Sequence, residues 1–195
     1  MMHDEFFGDF SGGTFSFGDS NMNYRWQEAT SSDKSNLFRL DCKCYDYPIE
    51  VEDWAKILST SPPINDQMTG FKCNTYRLNS LIVGYYVYWA KPSEVDTLRL
   101  LRLGVHPDYR TQGIGTMLID NAKAKAEALG MMEVDILIPE YYLDPEEDRG
   151  INQFVDTAGL MVIEHQQEAF NHYGRPYDGI LYRTGGRRKF EYNPC

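Results

Sequence analysis

The chain has 195 residues, 42% hydrophobic and 14% aromatic, enough apolar material for one domain of moderate size with a real core. Its formal net charge is -10, with no Lys/Arg cluster before the last residues, so the basic footprint of a nucleic-acid binder is missing. An acidic balance suits a basic or amine-bearing partner, or simple solubility. Cys42 and Cys44 are one residue apart and Cys73 and Cys195 stand alone, so there is no zinc or redox spacing; no metal site is expected and the thiols are read as free in a reducing compartment. There is neither a membrane-length apolar run nor the basic-then-apolar order of a signal peptide, so no membrane partner and a cytoplasmic location are expected.

Residues Met1 to about Met22 are rich in Gly, Phe, Ser and Asp without a helical period and read as a flexible tail. Their phenylalanines leave open a segment that docks on a partner or on its own domain. Tyr24-Arg25-Trp26-Gln27-Glu28-Ala29 alternates as an opening strand does. Thr30, Ser31 and Ser32 offer caps for a helix from Asp33 to about Lys43, carrying Leu37, Phe38 and Leu40. Tyr45-Asp46-Tyr47-Pro48-Ile49 cannot prolong that helix through proline, and a second helix is expected from about Val51 to Leu58, closed by Ser61-Pro62-Pro63. Phe71 to Leu78 and Leu81 to Ala90 are two strands meeting at Asn79-Ser80, the second dense in apolar residues as a central strand should be. A turn around Lys91 to Glu94 leads into a third strand, Leu98 to Val105.

His106-Pro107-Asp108-Tyr109 breaks this strand, and Arg110-Thr111-Gln112-Gly113-Ile114-Gly115-Thr116 follows. From Ile114, apolar residues recur at helical spacing through Leu118, Ala122, Ala126 and Leu129 until Gly130 closes the helix. A glycine turn opening a helix aims unpaired N–H groups at one spot, which favours an anion. Gly113 and Gly115 allow a phosphate close to the main chain, and Arg110 and Thr116 add a charge and a hydroxyl. There is no Gly-Lys-Ser/Thr ending and no further glycine in register, so neither a P-loop nor a dinucleotide fingerprint fits. Val134 to Ile138 is a short strand running to Pro139; Glu140 to Gly150 is a loop with an acidic run, and Ile151 to Ala158 a short helix. Gly159-Leu160 turns into a strand through about Ala169, Tyr177 to Arg183 is the last strand, and residues 185–195 form a solvated tail.

The Arg/Gln-x-x-Gly-x-Gly/Ala pattern after a strand ending Val-x-Pro-x-Tyr resembles the acetyl-CoA pyrophosphate loop of the GNAT N-acetyltransferase superfamily. The element order matches that layout over roughly Asn23 to Thr184. The resemblance implies an α+β fold with a mostly antiparallel central sheet, flanking helices and one parallel strand pair, the Leu98 and Val134 strands, splayed to take the pantetheine arm. Acetyl-CoA is the implied cofactor. Its implied binding residues are Leu103, Gly104 and Val105, with Gly104 allowing a strand bulge that frees an N–H for the thioester carbonyl, and the loop from Arg110, Thr111, Gln112, Gly113 and Ile114 to Gly115 and Thr116. Cys44-Tyr45-Asp46-Tyr47-Pro48 and His172-Tyr173-Gly174-Arg175-Pro176-Tyr177-Asp178-Gly179 are similar to substrate segments of the protein N-terminal acetyltransferases of the ribosomal-protein-alanine type, which makes Tyr47 and Tyr173 candidate substrate residues. In the second segment Gly179 stands where those enzymes have alanine.

Two family catalytic residues are replaced. The tyrosine that serves as general acid is Val155, and the glutamate that serves as base falls near Leu137. Glu140, working through water, is the candidate base, and Tyr173 or Tyr142 the candidate hydroxyl; His106 is assigned a structural role in its turn. An α-amine titrates near ~7.8 and a lysine near ~10.4, so lysine costs about 3.5 kcal/mol more to deprotonate at neutral pH. A site without a strong base therefore suits an α-amine. The reading is an acetyl-CoA-dependent transfer to a primary amine, a protein N-terminus first, by a monomer or homodimer. A small-molecule amine acceptor and a non-catalytic acyl-CoA-binding module stand as alternatives.

Overall fold

The computed structural model describes residues 23–59, 71–89, 96–143, 150–172 and 174–184. The two tails, the Ser61-Pro62-Pro63 stop, the Lys91 to Glu94 turn, the acidic run at 144–149, Tyr173 and Cys195 lie outside the described residues. Seven strands form one sheet: β1 (Tyr24–Glu28), β2 (Lys72–Leu78), β3 (Leu81–Trp89), β4 (Thr97–Val105), β5 (Glu133–Pro139), β6 (Leu160–His172) and β7 (Arg175–Thr184), in the order β1-β2-β3-β4-β5-β7-β6. The helices are α1 (Lys34–Cys44), α2 (Val51–Ile57), α3 (Ile114–Ala128) and α4 (Ile151–Thr157).

Side-chain alternation along the strands divides the core in two. On one face Tyr86, Leu100, Ile136, Ile138, Ile180 and Tyr182 pack with Ile114, Leu118, Ile119 and Ala122 of α3 and Val155 of α4. On the other, Tyr85, Val87, Cys73 and Ile82 meet Leu37 and Leu40 of α1 and Trp54 of α2. Ahead of α1, the Asp33 carboxylate accepts the Thr30 N–H at 2.9 Å and meets Arg77 of β2 at 2.8 Å, tying the helix start to the sheet. Burial pushes the Asp33 carboxyl up, but the Thr30 N–H and the Arg77 cation more than offset this and hold it below the usual value.

The feature that positions the site is the β4–β5 pair. The two strands run parallel, joined through α3 as a crossover, and pair from Thr97 opposite Glu133 to Leu100 opposite Ile136. Beyond that point they part. β4 runs on to Val105 beside β3, and β5 runs on to Pro139 beside β7.

Three expectations are corrected. The bulge in β4 lies at Leu101, since Val87 faces Arg102 while Tyr88 faces Leu100; Gly104 sits in regular pairing opposite Tyr85. Glycine is needed at 104 because the Tyr85 ring occupies the place a Cβ would take. The last two strands also reach further than the pattern indicated, to His172 and back to Arg175, because β6 resumes pairing after a second irregularity between Gln166 and Phe170.

Leu118 is fully buried, and its Cδ1 would stand 3.3 Å from a Cβ on Gly84 of β3, so α3 is seated directly on the sheet. Leu118→Ala is expected to cost about 2–5 kcal/mol in urea unfolding, through lost burial plus the cavity left behind.

Candidate active site

Where β4 and β5 part lies a cavity of about 520 Å³, lined by residues from both faces of the sheet. The glycine loop, Ile138 and Phe154 wall it on the α3–α4 side. Arg102 and Leu137, with Tyr45 and Tyr47 from the segment between α1 and α2, complete the wall.

Gly113 caps α3 with φ +78°, and Thr111 before it also has a positive φ, +61°. The loop is thus coiled back so that the first N–H groups of a 15-residue helix open toward the cavity. A Cβ at Gly113 would meet nothing within 4 Å, so the space before the loop is open, whereas one at Gly115 would come to 3.0 Å from the Phe154 ring. Gly115 therefore serves the seating of α4 as well as access to the backbone. Arg110 is exposed, with its Nε donating to the Val105 carbonyl at 3.2 Å. This cradle of helix N–H groups, a hydroxyl from Thr116 and a surface guanidinium fits a pyrophosphate.

Leu103, Gly104, Val105, Arg110, Thr111, Gly113, Gly115 and Thr116 all line the cavity, as does Tyr47. Gln112 and Ile114 do not. The Gln112 amide turns outward to the Asp108 carbonyl, and Ile114 turns down toward Gly84 in the core. Glu140 is exposed in a short 3-10 turn, Glu140–Leu143, and it is the neighbouring Pro139, Tyr141 and Tyr142 that reach the cavity wall. Leu137 also lines it, while Val155 of α4 is buried in the core.

A buried network beneath this wall escaped the sequence reading. Asp41 of α1 is completely buried. Its carboxylate takes Nε and Nη2 of Arg102 at 3.0 and 3.1 Å and accepts the Tyr85 hydroxyl and the Ile49 N–H. Arg102 also donates to the Tyr47 carbonyl and lies 3.7 Å from the centre of the Tyr45 ring, whose hydroxyl donates to the Leu103 carbonyl. One ion pair therefore fixes the α1–α2 segment against β4. The only sequence signal was an aspartate on the apolar side of α1, four residues after Leu37.

Beside it, the Cys44 thiol donates to the Val105 carbonyl at 3.3 Å. Burial, only partly countered by Arg110, pushes Cys44 up to about 11. Burial likewise pushes Tyr45 up to about 12 against the pull of Arg102, so both groups stay protonated at neutral pH. Among the described residues the cavity is lined by no Asp or Glu.

Over residues 35–142 the sequence matches the acetyltransferase (GNAT) family. No curated protein matches the chain by sequence. Among solved structures, the chain is similar to the ribosomal-protein-S18-alanine N-acetyltransferase of Escherichia coli, with TM-score 0.62 and 12% identity over 85% of this chain and 97% of that one. NAA60 of Arabidopsis thaliana, solved in complex with acetyl-CoA, gives TM-score 0.64 and 14% identity over 82% and 97%. A spermidine N-acetyltransferase SpeG chimera from Vibrio cholerae and hSSAT gives 0.64 and 11% over 83% and 94%. These likenesses establish a shared fold, common to proteins named for different amines.

His106, at the end of β4, is buried with Lys43 Nζ 2.9 Å from its Nε2, and its Nδ1 accepts the Asp108 N–H at 3.3 Å. Burial first, then the Lys43 charge, lower its pKa. The unfolded chain therefore binds the proton more tightly, and stability falls as pH drops below about 6.5, levelling once the folded imidazole is also protonated. The urea midpoint measured from pH 7.5 to 5 should show this decline in the native chain and a shallower one in His106→Gln.

Proposed function

The chain belongs to the GNAT acetyltransferase family and is an acetyl-CoA-dependent N-acetyltransferase; from that premise we propose that its acceptor is the α-amine of a protein or peptide N-terminus, acetylated by direct attack in a ternary complex. The observation that carries this reading is the composition of the acceptor-side wall. Among the described residues its titratable groups are the protonated Cys44 and Tyr45, neighbouring tyrosines and Arg102, paired with Asp41. None of these removes a proton from a lysine-type or polyamine ammonium at neutral pH. An α-amine is already neutral in useful proportion near its ~7.8 titration point.

Acetyl-CoA supplies an activated thioester to a cavity reached from both faces of the sheet. The cradle of Arg110, Gly113, Gly115 and Thr116 anchors its phosphates on the α3 side. Along β4, Leu103 and Val105 direct their carbonyls toward the gap, where Tyr45, Cys44 and Arg110 bond them, and their N–H groups face the same way. These N–H groups polarise the reacting carbonyl. Tyr45 and Tyr47, held by Arg102, orient the incoming amine from the α1–α2 side, and positioning supplies much of the rate. Tyr142, buried in the wall against Tyr141 with ring centres 4.4 Å apart, is the hydroxyl assigned to return a proton to the departing thiolate. Glu140, facing outward, is given no part in this scheme.

Thiol release with N-terminal peptides, an N-blocked lysine peptide and spermidine tests the acceptor. Peptides with a free α-amine should be preferred by at least about tenfold, and their kcat/KM should rise with pH and level near ~8, where an α-amine is neutral. Preference for the lysine peptide or spermidine, or a rate still rising at pH 10, overturns the reading. For the donor site, Gly113→Glu puts a carboxylate before the loop at a strained φ; the variant should fold at a cost of about 1 kcal/mol but lose the rise in melting temperature that acetyl-CoA gives the native chain.

A further inference from the structure

We infer that a built irregularity in the β6–β7 hairpin makes Phe170 the gauge of acceptor size; this deepens the acceptor reading above and rests on it. Gln166 pairs with Gly179 and Phe170 with Tyr177, so Gln167, Glu168 and Ala169 loop out opposite Asp178 alone. The loop is pinned: Glu168 has φ +51°, and its N–H donates to the Asp178 carboxylate at 2.9 Å. A non-glycine residue in that region is held there by its surroundings. Beyond it Phe170 and Asn171 reach the cavity wall.

Gly179 then becomes necessary. A Cβ there would lie 2.7 Å from Cε2 of Phe170, 3.1 Å from Cδ1 of Leu137 and 3.2 Å from Cβ of Ala169. Phe170 and Leu137 both line the cavity, so the missing methyl at 179 is the space in which the Phe170 ring is seated. Leu137 and Gly179 alternate with Ile136, Ile138 and Ile180, which face α3, and so lie on the α1–α2 side, with Arg102 and the Tyr45 to Tyr47 segment. That is the side on which the acceptor enters. The Asp178-Gly179 pair thus does two things: Asp178 fixes the outward loop, and Gly179 leaves the space that the Phe170 ring takes. The position of the ring sets how large a group beside the amine is admitted.

The test measures kcat/KM on peptides with small (Ala, Ser) and bulky (Leu, Phe) first residues, together with free primary amines of graded size. Phe170→Ala should raise the bulky-to-small ratio at least about tenfold, the scale of discrimination a hydrophobic pocket supplies per group removed. Gly179→Ala should push the ring into the cavity and lower kcat/KM for all acceptors about tenfold or more, bulky ones most. The acetyl-CoA-induced rise in melting temperature should be unchanged in both. The double variant Phe170→Ala/Gly179→Ala should recover turnover, since the clash is removed; a merely structural role for Gly179 would give no such rescue. A ratio within twofold of the native chain in Phe170→Ala, or no rescue, overturns the inference. If the native chain turns over only the free amines, the α-amine reading fails while the size ratio among those amines still decides this one; inactivity on the whole panel overturns both.

Discussion

Two parallel strands that stop pairing while each keeps its outer partner set the terms for the rest of this protein. Past Leu100 and Ile136, β4 and β5 lose each other but stay fixed by β3 and β7, so the gap cannot close by collapse. The peptide groups facing it must find other partners, because a buried unpaired carbonyl costs as much as a lost hydrogen bond. The carbonyls of Leu103 and Val105 find Tyr45, Cys44 and Arg110. The same interruption that creates the cavity therefore recruits the side chains that furnish it.

The second constraint is electrostatic. Completely burying Asp41 is tolerable only because Arg102 gives it two N–H groups and Tyr85 and Ile49 contribute two more donors. Such a pair adds little net stability over an apolar substitute, while removing one partner leaves an uncompensated charge costing about 3–5 kcal/mol. Its yield is specificity of arrangement. A guanidinium with fixed directions holds the Tyr47 carbonyl and the Tyr45 ring at once, which an apolar contact cannot do. That wall of the cavity is thereby tied to the sheet beneath it.

The two ends of the cavity are built differently. The end at the glycine loop is a local device, in which a backbone turn and a helix start present main-chain groups. At the other end, the one proposed for the acceptor, the elements are assembled from distant parts of the chain: the α1–α2 segment, the end of β5 with the turn after it, and an irregular hairpin.

The division between what was legible in sequence and what was not follows this contrast. The succession of elements along the chain, the helix from Ile114 and the turn through Gly113 and Gly115 that opens it could be read because each depends on residues within a few positions of one another, where periodicity and glycine spacing carry the information. Within the same loop, the outward turn of Gln112 and the inward turn of Ile114 were set by helix rotation against Gly84, which spacing alone does not give. Glu140 faces solvent because the chain leaves β5 into a 3-10 turn that delivers its tyrosines to the cavity instead. Gly104 was read as allowing a bulge, but the bulge lies at Leu101, and what glycine serves at 104 is the ring of Tyr85, nineteen positions earlier. By itself the sequence determined the fold and the glycine turn that opens α3, since both rest on local backbone preference and on which faces are apolar. Only the tertiary structure decided the opposite wall of the cavity: the Asp41–Arg102 pair and the seating of Phe170 over Gly179 join residues whose proximity exists only once the sheet has formed.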